Sequence, residues 1–170
     1  GIDEYNNENC VIIELKQWEK ATMTDKKDLV YTYVGNSERL MVHPSFQAES
    51  YANIIKNYSQ YVEEENVGMY PCSYLHNYKE QYRNEIDNSV YADIIKDSPI
   101  FLEKDRNKLR AFIKSHVKKS DSGKLLYELE NGKIRPSKAL QDALLSMFKG
   151  NKEFIMIDEQ KVAYSMILHL

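Results

Sequence analysis

The sequence predicts an α/β fold, a central mixed sheet flanked by helices, on three observations. Two apolar runs of strand character come early, Val11-Ile12-Ile13 and Val30-Tyr31-Thr32-Tyr33-Val34, the second closed by Gly35-Asn36. Residues 44–65 then carry apolar side chains at helical spacing. Residues 69–75 return as a strand, so a helix lies between it and the early strands, which allows a right-handed crossover and a parallel pair.

Taken in order, Tyr5-Asn6-Asn7-Glu8-Asn9 is a turn by composition. Val11-Ile12-Ile13 is a continuous apolar run and reads as a buried strand. It continues through Glu14, Leu15 and Lys16, so it ends in charges. Residues 39–42 form a further short strand. Pro44 suits the first turn of a helix, and Phe46, Ala48, Tyr51, Ile54, Ile55, Tyr58 and Val62 keep its period. Residues 91–96 read as a short helix. Residues 104–118 read as a longer one, with Leu109, Phe112, Ile113 and Val117 on one face. Ser137 caps a helix that runs to about Phe148 and stops at Gly150-Asn151. Residues 153–157 are a last short strand, and Asp158 caps a terminal helix.

A chain of 170 residues fits one domain, and 42% hydrophobic residues can build a core. No apolar run approaches the ~20 residues that span a bilayer, and no signal peptide is visible, so no membrane partner is expected. The acidic start, Gly1-Ile2-Asp3-Glu4, lacks an initiator Met, and a fragment or processed form is expected. Cys10 and Cys72 read as two thiols in a reducing cytoplasm, and no Cys/His cluster has zinc-ligand spacing. Charge is uneven. Residues 1–66 hold 12 acids and 6 bases, whereas residues 104–170 hold 8 acids and 14 bases. A polyanion contact is therefore expected in the C-terminal third, unless residues 104–119 are the solvated face of a helix.

The residues that carry chemistry sit at the end of the first strand. A side-chain period of two puts Glu14 and Lys16 on one face and Leu15 in the opposite layer. A buried carboxylate is costly unless it is paired or holds a metal. Glu14 can hold Mg²⁺, a hard cation that takes oxygen ligands. Metal and lysine together can lower the pKa of an attacking water and offset charge on a phosphate. The plain alternative is a strand-end ion pair. Gln47 and Tyr51 stand at i and i+4 and share a helix face. On an ordinary amphipathic helix Tyr51 would be core and Gln47 a boundary residue.

Ile13-Glu14-Leu15-Lys16-Gln17-Trp18 resembles the ExK half of the PD-(D/E)xK nuclease signature. His43-Pro44-Ser45-x-Gln47-x-x-x-Tyr51 resembles the QxxxY motif of the RecB-like branch. A narrower resemblance covers nearly the whole chain. Glu14-Leu15-Lys16-Gln17-Trp18, His43-Pro44-Ser45-Phe46-Gln47, Tyr74-Leu75-His76-Asn77-Tyr78, Ile134-Arg135-Pro136-Ser137-Lys138 and Ile157-Asp158-Glu159-Gln160 occur in order. This set is similar to bacterial proteins with such a domain before a Schlafen-type P-loop helicase. The resemblance implies a restriction-endonuclease-like fold over residues 1–152 and the start of a helicase domain over residues 153–170. It implies Mg²⁺ or Mn²⁺ as cofactor and nucleic acid, DNA in the first place, as substrate, with Gln47 and Tyr51 touching Lys16 or the strand. Asp158-Glu159-Gln160 resembles the adenine-reading segment before Walker A, with Gln160 as the nucleotide contact, yet no GxxxxGK[ST] is present.

The family also needs an upstream aspartate on the strand antiparallel to the ExK strand. Asp3 is the sole aspartate before Glu14. A hairpin centred on Asn6-Asn7 puts Asp3 opposite about Cys10, so Asp3 is expected to be a turn residue and the metal-binding aspartate to be missing. Serving as the second metal ligand instead would take a bulge or wider loop. A chain without that aspartate should bind Mg²⁺ or Mn²⁺ poorly and cleave weakly. Glu4 and Glu8 are spare carboxylates in a turn and are expected in solvent. Arg135 and Lys138 flank a predicted helix N-terminus, where phosphate contact is favourable. His43 is either a nucleic-acid contact or a helix cap, and His76 a structural histidine. His116 and His169 carry no signal. Most of the 13 tyrosines, Tyr51, Tyr58 and Tyr74 among them, follow apolar periodicity and are expected in or beside the core.

Two functions follow. One is a Mg²⁺-dependent nuclease domain, linked in cis to a helicase, that hydrolyses phosphodiesters. There Glu14 holds metal, Lys16 positions water and stabilises charge, and Gln47 and Tyr51 orient Lys16 or the strand. The other is a non-catalytic accessory domain that holds DNA or a partner for the helicase.

Overall fold

A computed structural model describes residues 1–35, 37–136 and 145–146. The chain divides into two units, Gly1–Arg135 and Pro136–Leu170. The first is described below. Lys138, Gln160, His169 and the elements expected beyond Ser137 lie outside the described residues.

The fold is mixed α/β, with its parallel and antiparallel strands in separate sheets. Strands β1 (Asn9–Lys16), β5 (Gly68–Leu75) and β6 (Ile100–Leu102) form an all-parallel sheet in the order β1-β5-β6. Strands β2 (Ala21–Met23), β3 (Leu29–Val34) and β4 (Ser37–Val42) form an antiparallel meander. The expected parallel pair is present, and the expected single mixed sheet is divided. The meander closes on itself through short turns, whereas each parallel neighbour needs a crossover. β2 and β6, three residues each, were too short to register as periodic segments.

Helix α1 (Pro44–Tyr58) forms the first crossover. His43 precedes it in extended conformation, and its Nδ1 accepts from the Ser45 N–H at 3.2 Å, satisfying an orphan donor of the first turn. Ser45, Ala48 and Ala52 form the buried face, and their small side chains let α1 lie close over β1 and β5. The helical pattern expected to reach residue 65 is broken at Ser59. Its N–H ends α1 on the Ile55 carbonyl, and its hydroxyl caps α2 (Gln60–Glu64). Short helices α3 (Arg83–Ile86) and α4 (Ala92–Asp97) lead to β6. Helices α5 (Arg106–His116) and α6 (Lys124–Asn131) follow. α3 and α6 were not anticipated.

The larger core cluster gathers Ala21, Val30, Leu75, Tyr78, Ile86, Tyr91, Ile94, Ile100 and Leu102. Its two fully buried tyrosines tie the meander to the rest. The Tyr78 hydroxyl donates to the Tyr82 carbonyl and accepts from the Ala21 N–H, and the Tyr91 hydroxyl donates to the Leu29 carbonyl and accepts from the Thr24 N–H. Burial pushes the Tyr78 hydroxyl up to about 12, so it stays a donor. Val62, Val67 and Leu125 form a second cluster with Cys10, Ile55 and Met69 against it. Both cysteines are free, and burial pushes the Cys72 thiol up to about 12.

β1 is not the buried strand its composition suggested. Among the described strands it lies at the edge of the parallel sheet, and on the face turned away from α1 Ile13 is 36% exposed and Leu15 63%. The opposite face of β1, with Cys10, Ile12, Glu14 and Lys16, is the one turned to α1 and the second cluster. At its start, the Asn9 amide donates to the His116 carbonyl at 2.8 Å, and Gly68 pairs beside it. A Cβ on Gly68 would collide with the Asn9 amide oxygen and the Tyr70 ring. Gly68→Ala should therefore lower stability by ~1–3 kcal/mol, measured as a drop in the urea midpoint at unchanged m-value.

Candidate functional site

The parallel register sets Glu14 beside Ser73 and Lys16 beside Leu75, on the face that α1 covers. Burial of both charges is substantial: the Glu14 side chain is 15% exposed and that of Lys16 16%. They satisfy each other first, with Lys16 Nζ 2.7 Å from Glu14 Oε1. Lys16 Nζ also donates to Gln47 Oε1 at 2.9 Å. That contact fixes the amide, because a lysine ammonium can only donate and so must meet the amide oxygen. The Gln47 NH₂ is then turned to Tyr51 and donates to its hydroxyl oxygen at 2.7 Å. With its oxygen accepting, Tyr51 has its own O–H open to donate outward among the described residues, and the residue is 43% exposed. Lys16 Nζ also lies 5.4 Å from the Trp18 ring centroid. Beneath the pair, Ser45 and Ser73 are fully buried and share a hydroxyl contact at 3.3 Å.

All four candidate catalytic residues thus meet in one linear network. Glu14 accepts from Lys16, Lys16 donates to Gln47, and Gln47 donates to Tyr51. The tyrosine expected in the core is the exposed terminus of the network; Tyr58 on the same helix, also expected in or beside the core, is likewise 43% exposed.

The other candidates are elsewhere. The bridge between Ile2 and Glu8 puts Asp3 opposite Asn7 rather than Cys10, a tighter hairpin than expected. Asp3 closes that turn, accepting from the Tyr5 and Asn7 N–H groups and from the Asn7 side chain. The Asn7 side-chain bond is the main reason its carboxyl lies below the ordinary carboxylate value. Among the described residues no group of three or more His, Cys, Asp and Glu side chains could hold a metal ion. Glu8, expected in solvent, is 16% exposed and accepts from Tyr61 at 2.6 Å and Lys124 at 2.8 Å, tying the first turn to α2 and α6.

Of the two roles expected for His43, the structure shows the helix cap. His43 is fully buried, with Nδ1 used as the α1 cap and Nε2 2.9 Å from the Ile86 carbonyl. The two partners fix the tautomer: Nδ1 accepts and Nε2–H donates. The ring packs on Tyr91 in a tilted arrangement, centroids 4.5 Å apart. The Arg135 guanidinium is paired with Glu63, and its backbone N–H reaches the Tyr58 carbonyl. His116 stacks on Tyr70 at 3.6 Å. α5 has no fully buried residue, which fits the reading of residues 104–119 as a solvated face.

Trp18, Ser45 and Ser73 were missed as neighbours of the site. Trp18 had a signal, since it stands two residues beyond Lys16; Ser73 had none, because its place depends on the parallel register.

No protein-family model, no curated protein and no solved structure matches the chain.

Burial lowers the His43 pKa below its ordinary 6.5, so the fold holds the neutral ring. Its contribution to stability is complete above pH 6.5 and is lost as pH falls through the depressed value. Wild type should lose denaturant resistance between pH 7 and pH 5 more steeply than His43→Asn, in which an amide oxygen keeps the cap. His43→Ala, which loses cap and packing together, should cost ~2–4 kcal/mol at pH 7.

Proposed function

We propose that this chain carries a nuclease site of the PD-(D/E)xK type, on a restriction-endonuclease-like α/β core, that hydrolyses phosphodiester bonds of nucleic acid. DNA is the proposed substrate, the cytoplasm the setting, and a helicase motor in the same polypeptide the partner. The observation that supports it best is the network Glu14–Lys16–Gln47–Tyr51, which joins residues 31 positions apart through hydrogen bonds of 2.9 Å or less.

A divalent ion fits this donor set in one way. Mg²⁺ keeps several waters and is often held by one or two carboxylates plus substrate phosphate rather than by an all-protein cage. Glu14, with the Leu15 carbonyl, would hold Mg²⁺ or Mn²⁺ together with the phosphate. Bound there, the ion would supply Lewis acidity and a water of lowered pKa. The remaining chemistry belongs to the chain. Lys16 places a fixed positive charge where phosphate charge develops. Gln47 holds that ammonium against rotation, and Tyr51 presents an O–H donor to a phosphate oxygen at the open end of the network.

The accessory reading is favoured by a specific observation: Glu14 is committed to Lys16 at 2.7 Å and lacks a metal-binding acidic cluster among the described residues. One experiment separates the two. Labelled single- and double-stranded DNA and RNA are incubated with the chain and Mg²⁺ or Mn²⁺, and both cleavage and retention are scored. The nuclease reading expects slow divalent-dependent cleavage that falls at least about 100-fold in Glu14→Ala and Lys16→Met and less in Tyr51→Phe. Retention without cleavage, unchanged by Glu14→Ala, would establish the accessory role instead.

A further inference from the structure

Lys16 is the least self-sufficient member of the network. Its side chain is long and rotatable, and fixing such a chain costs rotamer entropy. Glu14 and Gln47 each take one of its donors from the strand and helix sides. A third contact adds to these two. Trp18 follows at the end of the strand, and its ring centroid lies 5.4 Å from Lys16 Nζ. The indole is itself anchored, packed in partial burial on the larger core cluster that includes Leu75, the residue beside Lys16 in the ladder. An indole face is the strongest aromatic partner for an ammonium, and the attraction grows when the pair is shielded from water.

We propose that Trp18 is the positioning residue of this site, holding the Lys16 ammonium against Gln47 and Glu14 so that its remaining donor faces the position of a bound phosphate oxygen. The inference rests on the nuclease reading for its consequence, and on geometry alone for the contact. Gln47 orients the ammonium by direction, through one hydrogen bond. Trp18 adds an aromatic face beside it, which attracts the charge without taking a donor. The rest of the network depends on this restraint. If Lys16 swings away, Gln47 loses the acceptor role that fixes its amide, and the Tyr51 O–H loses its outward polarity.

The contact and its consequence can be read separately. In protein labelled at lysine Cε, the Lys16 methylene, assigned by its disappearance in Lys16→Arg, should be shifted upfield by the indole ring current. Trp18→Leu should remove the shift, and Trp18→Phe should keep part of it. Lys20 over Tyr33 and Lys124 over Tyr61, at 5.3 and 5.4 Å, should keep their shifts in both variants and so report intact folding. In single-turnover cleavage with Mn²⁺, Trp18→Leu should lower the rate about fivefold with substrate affinity unchanged, and Trp18→Phe should restore most of it. An unshifted Lys16 in wild type, or a Trp18→Leu variant that cleaves at the wild-type rate, overturns the proposal. If wild type cleaves nothing while the upfield shift is present and lost in Trp18→Leu, the nuclease reading fails and the positioning contact stands.

Discussion

Two opposite charges on the inner face of an edge strand must be satisfied where they stand, because the helix above them excludes most of the water. Glu14 and Lys16 meet that constraint in the cheapest way, by pairing across the two-residue repeat of β1. The pairing leaves two lysine donors to be answered from outside the strand, and Gln47 takes one of them. Gln47 does so only because α1 begins where it does, and α1 begins there because His43 caps it from a fully buried position anchored on the Ile86 carbonyl. A chain of local satisfactions therefore runs from the core through a histidine cap to an exposed tyrosine hydroxyl.

The same constraint shapes the rest of the unit. The small buried residues of α1 bring the helix close to the sheet, and closeness lets a glutamine reach a strand lysine at 2.9 Å. Tyr78 and Tyr91 fix the antiparallel meander to the helices that follow β5 by using both hydrogen-bonding capacities of each hydroxyl. Trp18, between β1 and the meander, packs on the core that these tyrosines share. Rigid surroundings of this kind hold a polar network in one arrangement, because every member already has a partner and few alternatives are open to it.

Much of this was legible in the residues themselves. Alternation within the first strand paired Glu14 with Lys16, and the i, i+4 spacing of Gln47 and Tyr51 put them on one helix face; both are consequences of fixed backbone periods. The extended runs at 29–34 and 68–75 and the Pro44 helix start were visible to within a residue or two for the same reason. Length defeated the reading of β2, β6 and α3, which are too short to show a period. Burial was misread where it depended on neighbours. Leu15 and Tyr51 are apolar by pattern, yet both are exposed, since the pattern does not reveal which faces of β1 and α1 the rest of the fold covers.

The sequence by itself determined which side chains share a face, where the main helix starts, and which residues belong to the Glu14–Lys16 and Gln47–Tyr51 pairs. Backbone geometry repeats every two or 3.6 residues whatever surrounds it. Only the tertiary structure decided that the two pairs join through Lys16 and Gln47, that His43 is spent inside the fold, that Asp3 closes a turn, and that the strands divide into two sheets. Those outcomes depend on the β1–β5 register and on which surfaces meet, and such long-range packing is set by the whole chain at once.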